Sequence, residues 1–242
     1  MQADTLRAIQ AHAGEAYPKE SCGLIVADAA GERYLPCTNR AATASEHFVL
    51  AKDDYAAAED LGELLAVVHS HPDAPASPSD GDRVLCEASG LPWHILSVGQ
   101  VDGRPEFGEL LTITPEGYRA PLVGRQFQHG VLDCYTLVRD IFAWELGIQL
   151  SEYQREDDWW LHGGDLYADN FEKEGFSVVT DEPRRGDLFL MQIRSPTMNH
   201  AGIYLGDGQM LHHLQGRLSE RVPYGGYWAE RTRLMIRHKD LA

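Results

Sequence analysis

An apolar run that ends in two histidines constrains the first half of the chain more than any other feature. Residues 64–68 read Leu-Leu-Ala-Val-Val, a pattern that is typical of a buried strand. His69 and His71 follow, and both imidazoles project to the same side because side chains two residues apart in a strand share a face. Pro72 cannot continue a central strand, so the sequence predicts that the strand ends there.

The carboxylate of Asp82 follows that strand at a spacing that suits a shared metal site. Ser79 is a good helix N-cap and Asp82 occupies the N3 position, which brings this carboxylate back towards the imidazoles. Two imidazoles and one carboxylate, with a fourth position open to water, are the ligand set of a catalytic zinc site. Asp80 competes for the third position, because Ser77 precedes it by the same spacing. A His-x-His pair alone is more often two polar residues on a half-exposed strand.

Residues 69–82 resemble the metal motif of the JAB1/MPN (Mov34) metallopeptidase family, which reads His-x-His-Pro, five residues, and then Pro-Ser-x-x-Asp. Residues 20–23, Glu-Ser-Cys-Gly, are similar to the upstream catalytic segment of that family. The resemblance implies that Zn²⁺ is held by His69, His71 and Asp82. The family spacing also favours this aspartate as the third ligand over the competing one.

The same resemblance implies a mechanism and a fold. Zinc would lower the pKa of a bound water to about 7. Glu20 would take the proton of this water and pass it to the leaving amine, and Ser79 would hydrogen-bond the developing oxyanion. The first half, residues 1–118, would then be a JAMM zinc metallopeptidase or isopeptidase with the mixed α/β sandwich fold of MPN domains.

Local patterns predict the elements of this sandwich. Strands mixed with helices along the first half indicate a mainly antiparallel or mixed sheet. The segment at residues 114–117, Thr-Pro-Glu-Gly, is typical of a linker, so a second domain, residues 119–242, is expected to follow. The predicted helices cover residues 3–16, 53–62 and 82–90, and the predicted strands cover residues 22–27, 33–37, 48–50, 64–71, 93–98 and 108–113.

A cysteine at the start of a helix marks the second half. The apolar stripe of residues 133–147 predicts a helix with Asp133 as N-cap and Gly147 just beyond its end. Cys134 then lies in the first turn, where the positive end of the helix dipole favours the thiolate and makes the sulfur a nucleophile. A lone cysteine is more often a small buried residue, so this role requires a base nearby.

Two histidines on a predicted hairpin supply the candidate base and its partner. The runs that flank residues 206–208, Gly-Asp-Gly, predict a β-hairpin. His200 opens one strand and His212 lies near the end of the other, so the two side chains are expected to come close together. A thiolate needs a base, and the base needs a partner that fixes its tautomer. His213 faces the other side of its strand and is the less suitable partner.

The second half resembles the NlpC/P60 family of papain-like cysteine peptidases. The shared features are an Asp-Cys pair that opens a helix, a Gly-Asp pair before a strand, and a His-x-Gly-Ile-Tyr-Leu-Gly hairpin. The resemblance implies a papain-like α+β domain in which Cys134 is the nucleophile, His200 the base and His212 the orienting residue. The sequence departs from the family in two places, with Tyr-Thr rather than Ser-Gly after the cysteine and Gly-Arg-Gln-Phe in place of an aromatic-Gly-Gly segment before it.

Charge and cysteine usage exclude several classes of protein. The chain carries 21 Lys and Arg against 37 Asp and Glu, a net charge of −16, which argues against a nucleic-acid-binding surface. The four cysteines include no CxxC pair, so neither a disulfide framework nor a thiolate zinc site is expected. The first residues lack the apolar core of a signal peptide, and no apolar run approaches the roughly 20 residues that span a membrane.

An MPN domain followed by an NlpC/P60 domain resembles the tail-tip components of tailed phages. On that resemblance the partners are other tail tip proteins and peptidoglycan stem peptides, which are cut between γ-D-glutamate and diaminopimelate. The protein would act in the virion, or in the host cytoplasm during assembly. Two rival hypotheses are a structural assembly factor with a vestigial metal site and a cellular cell-wall hydrolase. Trp159 and Trp160 line a sugar-binding groove in one interpretation and pack under the sheet in another.

Overall fold

The chain forms two compact units, Met1–Arg119 and a second unit that begins at Ala120. The computed structural model describes residues 1–241. Each unit has its own sheet and its own buried core. Of the helices within residues 1–241, none combines the length and the apolar character that crossing a membrane demands.

A mixed sheet of five strands forms the centre of the first unit. The strands are β1 (Cys22–Asp28), β2 (Gly31–Cys37), β3 (Glu63–Pro72), β4 (Trp93–Val101) and β5 (Arg104–Ile113). Their spatial order is β2-β1-β3-β4-β5, in which β3 and β4 run parallel and the other neighbours are antiparallel. The mixed sheet that the sequence predicts is therefore confirmed, and the strand that carries the two histidines lies at its centre.

Three helices cover the two faces of this sheet. They are α1 (Ala3–Ala16), α2 (Lys52–Leu61) and α3 (Asp80–Ser89). On one face α1 buries Ile9 and Ala13 together with Ile25 of β1. On the other face α2 buries Ala58 together with Leu24, the neighbour of Ile25 in β1. Because successive side chains of a strand point to opposite faces, the unit is a helix–sheet–helix sandwich.

The predicted short strand at residues 48–50 is wrong. Only Leu50 of this segment pairs, in an isolated bridge with Asn39. Phe48 turns into the core instead, where its ring stacks on the imidazole of His69 with the centroids 4.7 Å apart. The apolar character of this segment thus reflects the burial of Phe48 and not membership of the sheet.

An antiparallel sheet of six strands forms the centre of the second unit. The strands are β6 (Phe176–Val178), β7 (Leu188–Met191), β8 (His200–Gly206), β9 (Gln209–His212), β10 (Glu220–Pro223) and β11 (Thr232–His238). Their spatial order is β10-β9-β8-β7-β11-β6. β8 and β9 form the predicted hairpin, with Gly202 opposite His212 in the ladder.

The helix α4 (Cys134–Ile141) packs on this sheet and holds its first residue against β8. Asp133 caps the helix as the sequence predicts, accepting a hydrogen bond from a backbone N–H of the first turn at 2.9 Å. The last turn differs from the prediction, because Phe142–Leu146 is π-helical before Gly147 ends the helix at a φ of 71°. The shared core contains Leu137, Val138, Ile141, Phe142, Leu190, Ala201 and Ile203.

Candidate functional sites

Three side chains of the first unit converge at the carboxyl end of β3. Nε2 of His69 lies 3.1 Å from Nε2 of His71 and 3.2 Å from Oδ1 of Asp82. Nε2 of His71 lies 3.5 Å from Oδ2 of the same aspartate. Ligand atoms at about 2.0–2.1 Å from a tetrahedral zinc stand roughly 3.3 Å from one another. The donor types and their spacing therefore fit a zinc ion.

The start of α3 holds Asp82 in this position. The Ser79 hydroxyl accepts a hydrogen bond from the Asp82 N–H at 3.1 Å, and Oδ2 of Asp82 accepts from the Ser79 N–H and hydroxyl at 2.8 Å each. This reciprocal pair is the capping box that the sequence predicts. The Ser79 hydroxyl is bound to Asp82 here rather than directed at a substrate. The competing carboxylate, Asp80, lies outside the cluster and accepts from the Tyr118 hydroxyl.

The two imidazoles differ in how their neighbours hold them. Nδ1 of His71 donates to the Pro75 carbonyl at 2.8 Å, which leaves its Nε2 with a free lone pair. His69 is fully buried between Phe48 and Trp93, whose ring centroids lie 4.7 Å and 5.5 Å away. Burial lowers the pKa of His69 against the pull of the nearby carboxylate, so its ring is neutral. Its Nδ1 has no hydrogen-bond partner within residues 1–241.

Glu20 lies near the candidate metal ligands without belonging to the cluster. The side chain is buried, and the backbone N–H of Glu20 donates to the Ala44 carbonyl at 2.7 Å. Burial raises the pKa of its carboxyl to about 8, while His71 opposes the rise and Asp82 adds to it. A carboxyl with a pKa near neutrality can both accept and release a proton at physiological pH, as a general acid–base catalyst must.

In the second unit, Cys134 stands at the wall of a cavity of about 480 Å³. Its Sγ lies 3.3 Å from the hydroxyl of Tyr167. Burial raises the pKa of the thiol to about 11, and the Asp133 carboxylate adds to the rise. Burial therefore opposes the thiolate form that the start of the helix is expected to favour.

His200 and His212 meet across the β8–β9 hairpin, as the sequence predicts. Nε2 of His200 lies 3.1 Å from Nδ1 of His212. Burial lowers the pKa of His200 to about 3 and that of His212 to about 4, so both rings are neutral in the resting site. Gly202 permits close packing here, because a Cβ at this position would lie 2.3 Å from Sδ of Met210. The pairing leaves Nδ1 of His200 available to a nucleophile.

His213 takes no part in that pairing. Its ring lies edge-on to Phe127 with the centroids 5.1 Å apart, and it contributes to the wall of the cavity. The side chain is fully buried, with the backbone of Arg125 and Arg217 beside its ring. Burial lowers its pKa to about 4, and Arg125 adds to this fall. The structure thus pairs the candidate base with His212 rather than with its neighbour.

The cavity beside Cys134 carries several aromatic rings, two exposed arginines and the carboxylates of Asp133 and Glu174. Trp159 and Trp160 both line it, with ring centroids 5.6 Å apart. Trp159 is buried and Trp160 is half-buried, so the pair packs in the core and borders the cavity at once. Arg194 and Arg217 line the same cavity from its exposed side. The wall therefore offers ring faces and positive charge to a ligand.

Two partners of the Cys134 site carry no signal in the sequence. Tyr167 belongs to the short helix α5 (Leu166–Asn170). Arg155 donates from Nε to the carboxylate of Asp133 at 2.6 Å and so fixes the side chain that caps α4. Both residues lie in a segment whose elements are too short for periodicity to place their side chains. Only tertiary packing brings them to the site.

Two family models match the chain, one in each unit. Residues 2–108 match the prokaryotic homologs of the JAB domain, and residues 124–237 match the NlpC/P60 family. Among solved structures, a protein from Desulfitobacterium hafniense is 27% identical with a TM-score of 0.35, covering 47% of this chain and 82% of that chain. A protein from Salinibacter ruber is 30% identical with a TM-score of 0.31, covering 53% of this chain and 98% of that chain.

Two curated relatives match over most of their length. Tail tip assembly protein K of Escherichia phage N15 is 46% identical over 246 aligned positions, which cover 100% of this chain and 97% of that protein. Tail tip assembly protein K of Escherichia phage lambda is 39% identical over 191 positions, which cover 78% of this chain and 89% of that protein. This chain therefore belongs to the family of phage tail tip assembly proteins K, with an N-terminal JAB-like domain and a C-terminal NlpC/P60 domain.

Proposed function

We propose that the protein is a tail tip hydrolase whose NlpC/P60 domain cuts murein stem peptides through Cys134. The observation that carries the proposal is the 3.1 Å pairing of His200 with His212 beside a cavity that both Cys134 and His200 line. The name of the relatives supports a role at the tail tip, with other tail proteins as partners, over a cellular cell-wall hydrolase.

The reaction follows from the protonation states of these groups. A thiol with a pKa of about 11 and an imidazole with a pKa of about 3 are both neutral at rest. Sγ of Cys134 therefore gives its proton to Nδ1 of His200 as it attacks the peptide carbonyl carbon, and a sulfur–carbon bond forms. His200 returns this proton to the leaving amine as the carbon–nitrogen bond breaks. It then deprotonates the water that hydrolyses the thioester, and the proton goes back to sulfur.

His212 orients the base during this sequence. When Nε2–H of His200 donates to Nδ1 of His212, the His200 lone pair lies on Nδ1, which is the nitrogen that the thiol requires. The positive charge that develops on His200 is also shared with a neutral hydrogen-bond acceptor. The role is that of the third residue in a triad, although a histidine rather than a carboxylate fills it.

The lining of the cavity supports a peptide substrate that carries carboxylates. Arg194 and Arg217 bring positive charge to the cavity of a chain whose net charge is −16. An acidic ligand is therefore attracted to this wall although most of the surface would repel it. Murein stem peptides carry free carboxylates, and the aromatic rings suit their aliphatic side chains. We place the cleaved bond between γ-D-glutamate and diaminopimelate.

The JAB-like domain is proposed to be a zinc-dependent peptidase or isopeptidase that acts on another tail protein. His69, His71 and Asp82 would hold the ion, whose Lewis acidity activates water and polarises a carbonyl. Glu20, with a carboxyl pKa of about 8, accepts a proton beside these ligands and releases it to the leaving amine. Ser79 is proposed to turn its hydroxyl from Asp82 to the oxyanion.

A structural assembly factor with a vestigial metal site is the second candidate for the first unit. A metal-binding histidine usually donates its other ring N–H to a carboxylate or a carbonyl. His69 lacks such a partner within residues 1–241, and the hydroxyl of Ser79 is bound to Asp82. Both observations favour a site that binds metal weakly and lacks a free oxyanion donor. Purified protein with about one zinc per chain would support the peptidase, whereas metal-free protein would support the assembly factor.

Mass spectrometry of murein fragments tests the proposal for the second unit. The full-length protein, Cys134→Ala and the control Cys86→Ala are each incubated with purified murein. Cys86 is a matched control because it is a thiol in α3, outside the cavity. We expect fragments cut after γ-D-glutamate from the wild type and the control and none from Cys134→Ala. Equal release by Cys134→Ala would contradict the proposal.

A further inference from the structure

The hydroxyl of Tyr167 lies against the sulfur of Cys134, at 3.3 Å from Sγ. Tyr167 lies in α5, whose N-cap Asp165 accepts a hydrogen bond from the Ala168 N–H at 3.1 Å. Its ring packs edge-on to Trp159 with the centroids 6.3 Å apart. The helix and this packing hold the hydroxyl at the sulfur, so the contact does not depend on a freely rotating surface side chain.

The chemistry of this contact changes when Cys134 ionises. A neutral thiol and a phenol can each donate to the other. A thiolate has no proton, so the Tyr167 hydroxyl must then be the donor. Burial raises the pKa of Tyr167 well above its usual value, and Cys134 adds to the rise, so the phenol retains its proton at neutral pH. A hydrogen bond from this hydroxyl to a charged sulfur is therefore always possible.

The Cys134 site needs a hydrogen-bond donor that can stabilise the thiolate. Burial and the Asp133 carboxylate both raise the pKa of the Cys134 thiol, while Tyr167 and the backbone N–H of Ala201 lower it. Arg155 is the nearby cation, but its guanidinium is already bound to Asp133 at 2.6 Å and to Thr136 at 3.0 Å. Within a desolvated site, hydrogen bonds from neutral donors are the main means of stabilising a transient anion.

We propose that Tyr167 is a further catalytic residue, whose hydroxyl donates to Sγ of Cys134 and stabilises the attacking thiolate. The inference rests on the proposed function in taking Cys134 as the nucleophile and His200 as the base. The S–H bond breaks, its proton moves to Nδ1 of His200, and the electron pair stays on sulfur. The O–H bond of Tyr167 remains intact throughout. When the sulfur–carbon bond breaks in hydrolysis, the same hydroxyl stabilises the departing thiolate.

Alkylation of Cys134 by iodoacetamide tests this role in the full chain without any substrate. The rate is followed by peptide mass spectrometry from about pH 6.5 to about pH 9 for the wild type, Tyr167→Phe and Tyr224→Phe. Tyr224 is the matched control because its hydroxyl donates to Thr232 at 3.1 Å, outside the cavity. Tyr167→Leu is a second variant without the hydroxyl, for use if Tyr167→Phe is unfolded by circular dichroism.

Both variants of Tyr167 are expected to lower the alkylation rate roughly three- to tenfold at each pH, because a hydrogen bond to a charged group is lost while the remaining thiolate becomes more nucleophilic. Tyr224→Phe should react like the wild type. An unchanged or faster rate in the variants of Tyr167 would overturn the inference, since the hydroxyl would then only cover the sulfur. Stem-peptide cleavage by the same wild-type sample separates the two questions: its absence refutes the proposed function, whereas the alkylation ratio alone decides the role of Tyr167.

Discussion

Nε2 of His200 lies 3.1 Å from Nδ1 of His212, and both rings are buried and neutral. A neutral pair of this kind can accept a proton from a nucleophile during attack. The thiol of Cys134, with a pKa of about 11, is also uncharged at rest. These directions favour the proposed reaction, in which the proton moves during attack, over a standing thiolate–imidazolium pair.

The first prediction ranks the two histidines. His200→Ala removes the base and should abolish stem-peptide cleavage as Cys134→Ser does. The loss of cleavage rate in His212→Ala should be roughly 10- to 100-fold smaller than in His200→Ala, because an orienting residue contributes less than the base itself. Chromatography of cleavage products gives the rates, and circular dichroism verifies the fold. A larger loss in His212→Ala than in His200→Ala would reverse the assignment of base and partner.

The second prediction concerns acid stability. Burial in the folded chain lowers the pKa of His200 to about 3 and those of His212 and His213 to about 4, all from the usual 6.5. At a pH between the folded and the unfolded pKa values of these histidines, the unfolded chain binds more protons than the folded chain. The free energy of unfolding should therefore be highest above about pH 6.5 and fall by on the order of a few kcal/mol as the pH decreases to about 4.

Urea unfolding followed by tryptophan fluorescence at a series of pH values measures this loss. His213→Gln provides the matched control, because it removes one of the three titrating rings without touching the His200–His212 pair. We expect a shallower dependence on pH in this variant. An unfolding midpoint for the second unit that stays constant over the whole window would show that burial of these histidines has no cost in the folded state.

The third prediction concerns the metal ligands. His69→Ala and Asp82→Ala should each lose zinc, because a tetrahedral site with only two protein ligands binds weakly. Asp80→Ala should keep zinc, since the Asp80 carboxylate accepts from Tyr118 outside the cluster. Elemental analysis of the purified proteins gives the metal content. Zinc loss in Asp80→Ala together with retention in Asp82→Ala would show that the two aspartates have been assigned the wrong way round.

The fourth prediction separates metal binding from proton transfer at Glu20. Glu20→Gln keeps the size of the side chain but removes its ability to accept a proton. The variant should retain zinc and thermal stability while losing peptidase activity of the JAB-like domain. Zinc content and melting temperature are measured on the same preparation as activity. Full turnover by Glu20→Gln would exclude the residue as the general base.

The sequence predicts elements well where a short-range rule applies. The capping box of Ser79 and Asp82 follows from spacing alone, and so does the meeting of His200 and His212 across a tight hairpin. The helix of residues 3–16 is likewise confirmed with its predicted limits. In each case the contacts join residues that are close along the chain, so local geometry leaves little freedom.

The features that the sequence does not predict all depend on tertiary burial. The raised pKa of the Cys134 thiol follows from desolvation by neighbours that periodicity does not reveal. Tyr167 and Arg155 reach the site from a segment with only short helical turns. Phe48 looks like part of a strand but packs against His69 instead. In these cases the tertiary environment, and not the sequence pattern, determines the pKa or the position of the side chain.

Cleavage of stem peptides in the presence of a chelator tests the central claim most directly. The two proposed sites would use different chemistry in separate units, since the candidate metal ligands include no cysteine and Cys134 has no metal-binding cluster beside it within residues 1–241. We predict that the wild-type protein and a chain that starts near Arg119 both cleave stem peptides at full rate with chelator present, whereas Cys134→Ser does not cleave them at all. Full cleavage by Cys134→Ser, or its loss on chelation alone, would contradict the proposal and assign the wall chemistry to the JAB-like domain.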